Sequence, residues 1–256
     1  MSWRLVARQG VRESWRNWEL RGTIVAFSLV LGLIGYWSGP AALGDAGTVA
    51  DFFGILWGIT IVLVPATAVA LAHDDVAGRR EDGRLRLLLG QPLSRRSIVV
   101  GQYVATGVTM IAAVFVSVTT GLMVATLRAG TLAPPKLAFG LLAGGVLLGV
   151  AYVGIGIAIS TRLTTTTFTG TLAFAAFLVF TFVWSAVPRS AIWIANRFVS
   201  VSSDPWWLPY VDTISPVVAT GRLVAPGVGL SVLTSTDQTA VYAFGIVVLG
   251  WWLVVL

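Results

Sequence analysis

There is no cysteine in this chain, which removes disulfides, thiolate catalysis and cysteine-ligated metals together. Histidine occurs once, as His73, followed by Asp74 and Asp75. One imidazole without a His-Glu-x-x-His pattern does not make a zinc hydrolase. The nearby acids Asp74, Asp75, Glu81 and Asp82 lack the spacing by which membrane phosphotransferases hold a divalent ion, and they read as a solvated loop face. No base stands near a serine to activate it. Lysine also occurs once, as Lys136 in Ala133-Pro134-Pro135-Lys136. A phosphate-binding loop needs Gly-x-x-x-x-Gly-Lys-Ser/Thr, so no Walker A site is present. No catalytic, cofactor-binding or metal-ligating residue is assigned on these grounds.

Charge of either sign is scarce. Only 11% of residues are charged and 56% are hydrophobic, with a mean hydropathy of +0.86; a soluble domain carries about 25% charge. A water-facing surface for 256 residues cannot be assembled from so little. The sequence therefore predicts an all-α polytopic membrane protein, a single transmembrane domain over 1–256. The net charge of +6 is not a nucleic-acid footprint in such a chain; it first asks which loops hold the arginines.

Six apolar stretches are long enough to span as helices, at 23–43, 52–72, 98–127, 137–160, 168–187 and 239–256. The third is longer than the hydrocarbon requires and is expected to tilt or protrude. The last only just qualifies. None contains Asp, Glu, Lys, Arg or His, which counts against an ion-coupled carrier. The fourth carries Gly140, Gly144, Gly145, Gly149, Gly154 and Gly156, spaced for close helix packing. The Thr164–Thr167 run is expected to cap the fifth.

The arginines set direction. Arg4, Arg8, Arg12, Arg16 and Arg21 precede the first span, Arg79, Arg80, Arg84, Arg86, Arg95 and Arg96 follow the second, and Arg162 follows the fourth. The other side holds Arg128, Lys136, Arg189, Arg197 and Arg222. The positive-inside rule places the N-terminus and the second-to-third loop in the cytoplasm. The long basic lead and the length of the first apolar stretch fit an uncleaved span better than a signal peptide. Within that lead, Trp3, Ala7, Val11, Trp15 and Trp18 recur at helical spacing beside the row Arg4, Arg8, Arg12, Arg16. That is the pattern of a helix lying in the membrane interface, in contact with lipid.

One polar island remains. Between His73 and Ser97, 10 of 25 residues are charged. Arg79 to Leu89 suits a short helix, with Asp82 and Arg86 in the favourable i, i+4 order and Leu85, Leu88 and Leu89 on one face. Gly90 and Pro92 stop it, and Ser94 can cap the next helix. The leucine face either packs on the ends of its own spans or anchors a soluble partner, with the charges as a polar rim.

The run Glu81-Asp82-Gly83-Arg84-Leu85-Arg86-Leu87-Leu88-Leu89-Gly90-Gln91-Pro92-Leu93-Ser94-Arg95 resembles the first cytoplasmic loop of type-2 (exporter) ABC transporter permeases. Gly83, Leu85, Leu88, Leu89, Pro92, Ser94 and Arg95 fit the family pattern. Arg84 and Arg86 stand where Thr and Glu are usual, and Gln102 where Lys is common. The layout is similar throughout: basic lead, six spans, and a large loop at 188–238 before the last. The Ser215-Pro216 pair also looks like that family.

The resemblance implies a prokaryotic cell-membrane permease. Its loop would act as a coupling helix, with Glu81, Gly83, Leu85, Leu88, Leu89, Pro92, Ser94 and Arg95 facing a separate ABC ATP-binding subunit that holds ATP and Mg. Two permease chains, identical or different, would pair, and substrate would pass between them by rigid-body rocking. The family handles drugs, lipids, polysaccharides, ions and factors for maturing metalloenzymes, and nothing in the chain selects among them. The family also usually ends in a short basic tail, whereas this chain stops at Leu256 in an apolar run. Two other readings remain open on the residues alone. One is a non-transporting membrane anchor for a cytoplasmic partner; the other is a membrane-embedded lipid-modifying enzyme. In the 188–238 loop the cluster Trp206-Trp207-Leu208-Pro209-Tyr210 suits a membrane interface, with short helices dipping partway in.

Overall fold

The computed structural model describes residues 3–16, 18–43, 49–72, 94–163, 165–199, 205–228 and 238–254. Among the described residues the regular structure is entirely helical. In order these are α1 (Trp3–Arg16), α2 (Trp18–Leu43), α3 (Val49–Ala72), α4 (Arg95–Ala129), α5 (Pro135–Arg162) and α6 (Thr166–Leu178). A π-helical turn (Val179–Val183) extends α6. Then come α7 (Ala186–Ala195), α8 (Leu208–Thr213), α9 (Pro216–Val224) and α10 (Gln238–Val254).

Among the described residues five helices are long and apolar enough to cross a membrane: Leu20–Pro40, Asp51–Ala72, Arg96–Ala129, Pro135–Arg162 and Thr166–Val183. The sixth expected span is a shorter apolar helix, Ala240–Trp252. α4 has 35 residues, about 52 Å at about 1.5 Å per residue, well beyond a hydrocarbon core of about 30 Å. It ends at Gly130, whose φ of 70° and N–H to the Thr126 carbonyl form a left-handed cap that a side chain would strain.

The core is built from two parallel pairs. In α2 and α4 the hydroxyls of Ser28 and Ser117 hydrogen-bond at 3.2 Å, and the approach tightens further along. A Cβ added at Gly35 would strike the Gly121 carbonyl, and one at Gly39 would lie 2.8 Å from Ala125 Cα. In α3 and α5 the Trp57 ring packs on Gly144, Val64 on Gly149 and Ala72 on Gly156. α4 then runs antiparallel to α5, with Val114 on Gly145, Met110 on Gly149 and Tyr103 on Gly154. The glycine row of the fourth span is thus a packing row. Lipid tails are as apolar as leucine, so helices associate by close fit rather than hydrophobic expulsion, and small residues permit it.

These directions sort the helix ends. The start of α4, the ends of α3 and α5 and the start of α6 share one end of the bundle with α1. There α1 lies against α4, with Val6 in the space at Gly101 and Gly10 against Ala105. The buried face is Val6, Ala7 and Gly10. Of the row Trp3, Ala7, Val11, Trp15 and Trp18 only Ala7 belongs to it: Trp3 and Trp15 are about two-fifths exposed and Trp18 starts α2 at 80% exposed. Small side chains let α1 sit close to α4, and the bulky rings are displaced outward.

Candidate functional site

The connection between the fifth span and α10 folds back among the spans. α8 and α9 form a hairpin jointed at Ile214 and Ser215. Tyr210 packs on Phe244 at 5.6 Å between ring centroids, Thr213 lies near Gly245, and Trp252 Nε1 donates to the Ile214 carbonyl at 3.0 Å. The joint therefore lies beside Trp252, about 21 Å along α10 from Gln238 at about 1.5 Å per residue. α9 returns past Trp57 and Gly144, where Val224 packs.

The fifth span is built to hold this joint. In the π-helical turn, Trp184 N–H reaches back to the Val179 carbonyl at 2.7 Å, one residue further than an α-helical bond. That step takes the usual donor away from the Phe180 carbonyl, and Ser215 Oγ donates to it instead at 2.7 Å. Trp184 Nε1 donates to the Val211 carbonyl at 2.8 Å.

An ionic node closes the hairpin. Asp212 is 5% exposed and Arg222 8%. Arg222 Nη2 lies 3.9 Å from Asp212 Oδ2, and Arg222 Nη1 donates to the Pro209 carbonyl and Thr213 Oγ1. Arg189, on α7, reaches in from a 57% exposed position to Asp212 Oδ2 at 3.1 Å and donates to the Ser185 carbonyl. Asp212 Oδ1 is buried without a hydrogen-bond partner among the described residues. Two guanidiniums thus tie α7, α8 and α9 to one carboxylate. Among the described residues no three His, Asp or Glu side chains come together as a metal group.

Of the residues singled out by sequence, Glu81, Gly83, Leu85, Leu88, Leu89 and Pro92 lie outside the described residues. Ser94 is the N-cap of α4, its Oγ accepting from Ser97 N–H at 3.2 Å, and Arg95 is the first residue of that helix. Gln102 is buried on α4 beside Gly10. Thr165 occupies the N-cap of α6 but makes no side-chain cap bond; its carbonyl takes Thr169 N–H and Oγ1 instead. Sequence reasoning missed the node. Arg189 is 23 residues from Asp212, and nothing in the sequence sets Arg189, Asp212 and Arg222 apart from Arg197, Asp204 and Asp237 in the same segment.

A bundle of long apolar helices, enclosing a hairpin fastened from the fifth span and the last helix, defines the chain as a polytopic membrane protein. Residues 19–256 match the family described as ABC-2 family transporter protein; the chain belongs to that family and is the membrane subunit of an ABC transporter. It is 26% identical over 212 residues to the probable ABC transporter permease protein NosY of Stutzerimonas stutzeri, covering 79% of this chain and 75% of the relative. It is equally 26% identical over 213 residues to the protein of the same name in Pseudomonas aeruginosa, again covering 79% and 75%.

Proposed function

We propose that this chain is the permease half of an ATP-driven exporter in a prokaryotic cell membrane, coupled through residues 73–97 to a separate ABC ATP-binding subunit that holds ATP and Mg. The N-terminus and that segment face the cytoplasm, α1 lies in the interface with its arginines toward anionic lipid, and two permease chains form the pathway. Family membership supports the reading. The placement that carries its coupling part is the end of α3 at Ala72 and the capped start of α4 at Ser94. Both lie at the arginine-rich end of the bundle, so the intervening segment is presented there by two spans. The leucines Leu85, Leu88 and Leu89 then act as anchors in a groove of the partner.

The test is purification from native membranes in mild detergent with mass-spectrometric identification of stoichiometric partners. A Walker A-bearing polypeptide is expected with the wild type, and it should be lost or functionally uncoupled in Leu85→Asp while the chain remains inserted. Recovery of the chain alone, or with a partner lacking a nucleotide site, would overturn the coupling proposal in favour of the anchor or enzyme reading.

A further inference from the structure

We propose that the groove between α5, α6 and α10 is a binding site for one anionic phospholipid, with an acyl chain along the groove and the phosphate on Arg162. The cavity is about 470 Å³. Its walls are aliphatic and aromatic, among them Ile155, Ile159, Leu172, Ala176, Phe180 and Trp252, and among the described residues Arg162 is its single charged lining residue. Arg162 is the last residue of α5 and exposed, and no hydrogen-bond or ion-pair partner for it is found among the described residues. An apolar trough with one guanidinium at its end, unpaired among the described residues, has the shape and polarity of an amphiphile with a phosphate head. A planar guanidinium grips phosphate oxygens in bidentate fashion.

The choice of an anionic lipid over a zwitterionic one rests on the surroundings. The ends of α5 and α3 and the start of α4 share their end of the bundle with α1, which carries Arg4, Arg8, Arg12 and Arg16. The local field is therefore positive, and it concentrates acidic headgroups near Arg162. A second groove supplies the contrast. At the opposite end, between α4 and α5, a cavity of about 450 Å³ is lined by residues such as Phe115, Leu122, Met123 and Leu142, with no charged residue among its lining. It can take a lipid tail but offers nothing to select a headgroup. The first groove also touches the hairpin's fastenings, since Phe180 accepts from Ser215 and Trp252 donates to Ile214.

The experiment uses the full chain, delipidated in an uncharged detergent and titrated with phosphatidylglycerol or phosphatidylcholine under native mass spectrometry. The wild type is expected to retain one phosphatidylglycerol in preference to phosphatidylcholine, which carries the same phosphate but no net charge for the arginine field to hold. Arg162→Gln, which removes the phosphate's partner, should lower phosphatidylglycerol retention about ten-fold or more, the scale of one charge-assisted contact. Ala158→Trp, which fills the groove without changing charge, should abolish retention, with Ala176→Phe as the second blocking variant if the first fails to fold. Arg12→Gln, on exposed α1, should leave the site intact. Equal retention of the two lipids by the wild type would overturn the proposal. So would undiminished phosphatidylglycerol binding in Arg162→Gln or in a folded blocking variant, or an Arg12→Gln loss as large as that of Arg162→Gln, which would mean surface attraction alone.

Discussion

Removing Asp212 separates a buried ionic node from a surface one. Asp212→Ala leaves the Arg222 guanidinium 8% exposed without its counter-charge, and breaking a buried pair in this way costs roughly 3–5 kcal/mol. Two considerations favour the low end. Arg222 keeps the Pro209 carbonyl and Thr213 Oγ1 as acceptors, and Asp212 Oδ1 has no partner to lose. The expected cost is about 3 kcal/mol, roughly a hundredfold in the unfolding constant at about 1.4 kcal/mol per decade. Arg189→Ala breaks the shorter contact, 3.1 Å against 3.9 Å, yet its side chain is 57% exposed, so about 1 kcal/mol or less is expected. Asp212→Ala combined with Arg222→Met removes both buried charges and should be less destabilised than Asp212→Ala alone. Equilibrium unfolding in mixed micelles, followed by tryptophan fluorescence, measures all four proteins. A cost near zero for Asp212→Ala, or a double variant at least as destabilised as Asp212→Ala alone, would refute burial as the controlling factor.

Three further changes probe the packing and the fastening. Gly35→Val drives a side chain into the Gly121 carbonyl of α4, and overpacking there should cost about 1–3 kcal/mol. Gly22→Ala, where a Cβ meets nothing within 4 Å, should stay within about 0.5 kcal/mol of wild type in the same assay. Ser215→Ala leaves the Phe180 carbonyl without its donor and should cost about 1 kcal/mol, read as a lower thermal midpoint in detergent.

Much of this architecture was legible because the signals are periodic and local. Long uncharged runs gave the five long spans within a few residues, and the glycines at four-residue spacing marked α5 as a packing helix. The α4 cap at Ser94 followed from one hydroxyl ahead of a helical run. The hairpin's fastening was not legible. It depends on a π-helical turn at Val179–Val183, which no residue type announces, and on partners 35 and 38 residues apart. Which face of α1 meets α4 was not legible either: the row Trp3, Ala7, Val11, Trp15 and Trp18 suited a membrane interface, and contact with α4 takes Val6, Ala7 and Gly10. Composition records what a helix carries, and only packing reveals which side its neighbour takes.

The absence of cysteine makes one mechanical consequence directly testable. Residues 73–93 join α3 to α4, and these helices scarcely pack on one another, whereas α3 lies along α5 and α4 along α2. A push on that segment, on the proposed coupling, shifts α3 against α4 at their sparse contact, where Thr67 Oγ1 lies 3.7 Å from Met110 Sδ. The interlocked α2–α4 pair should move as one body, since Gly35 and Gly39 leave no slack against Gly121 and Ala125. Cysteines at Ser28 and Ser117, whose hydroxyls are 3.2 Å apart, bridged through disulfides by a short bis-methanethiosulfonate reagent, should leave the ATPase rate of the co-purified complex unchanged. Cysteines at Thr67 and Met110, bridged the same way, should suppress it, and reduction should restore it. Equal inhibition by the two bridges would mean that α2 and α4 also slide. Inhibition by neither would mean that nucleotide turnover does not require α3 to move against α4.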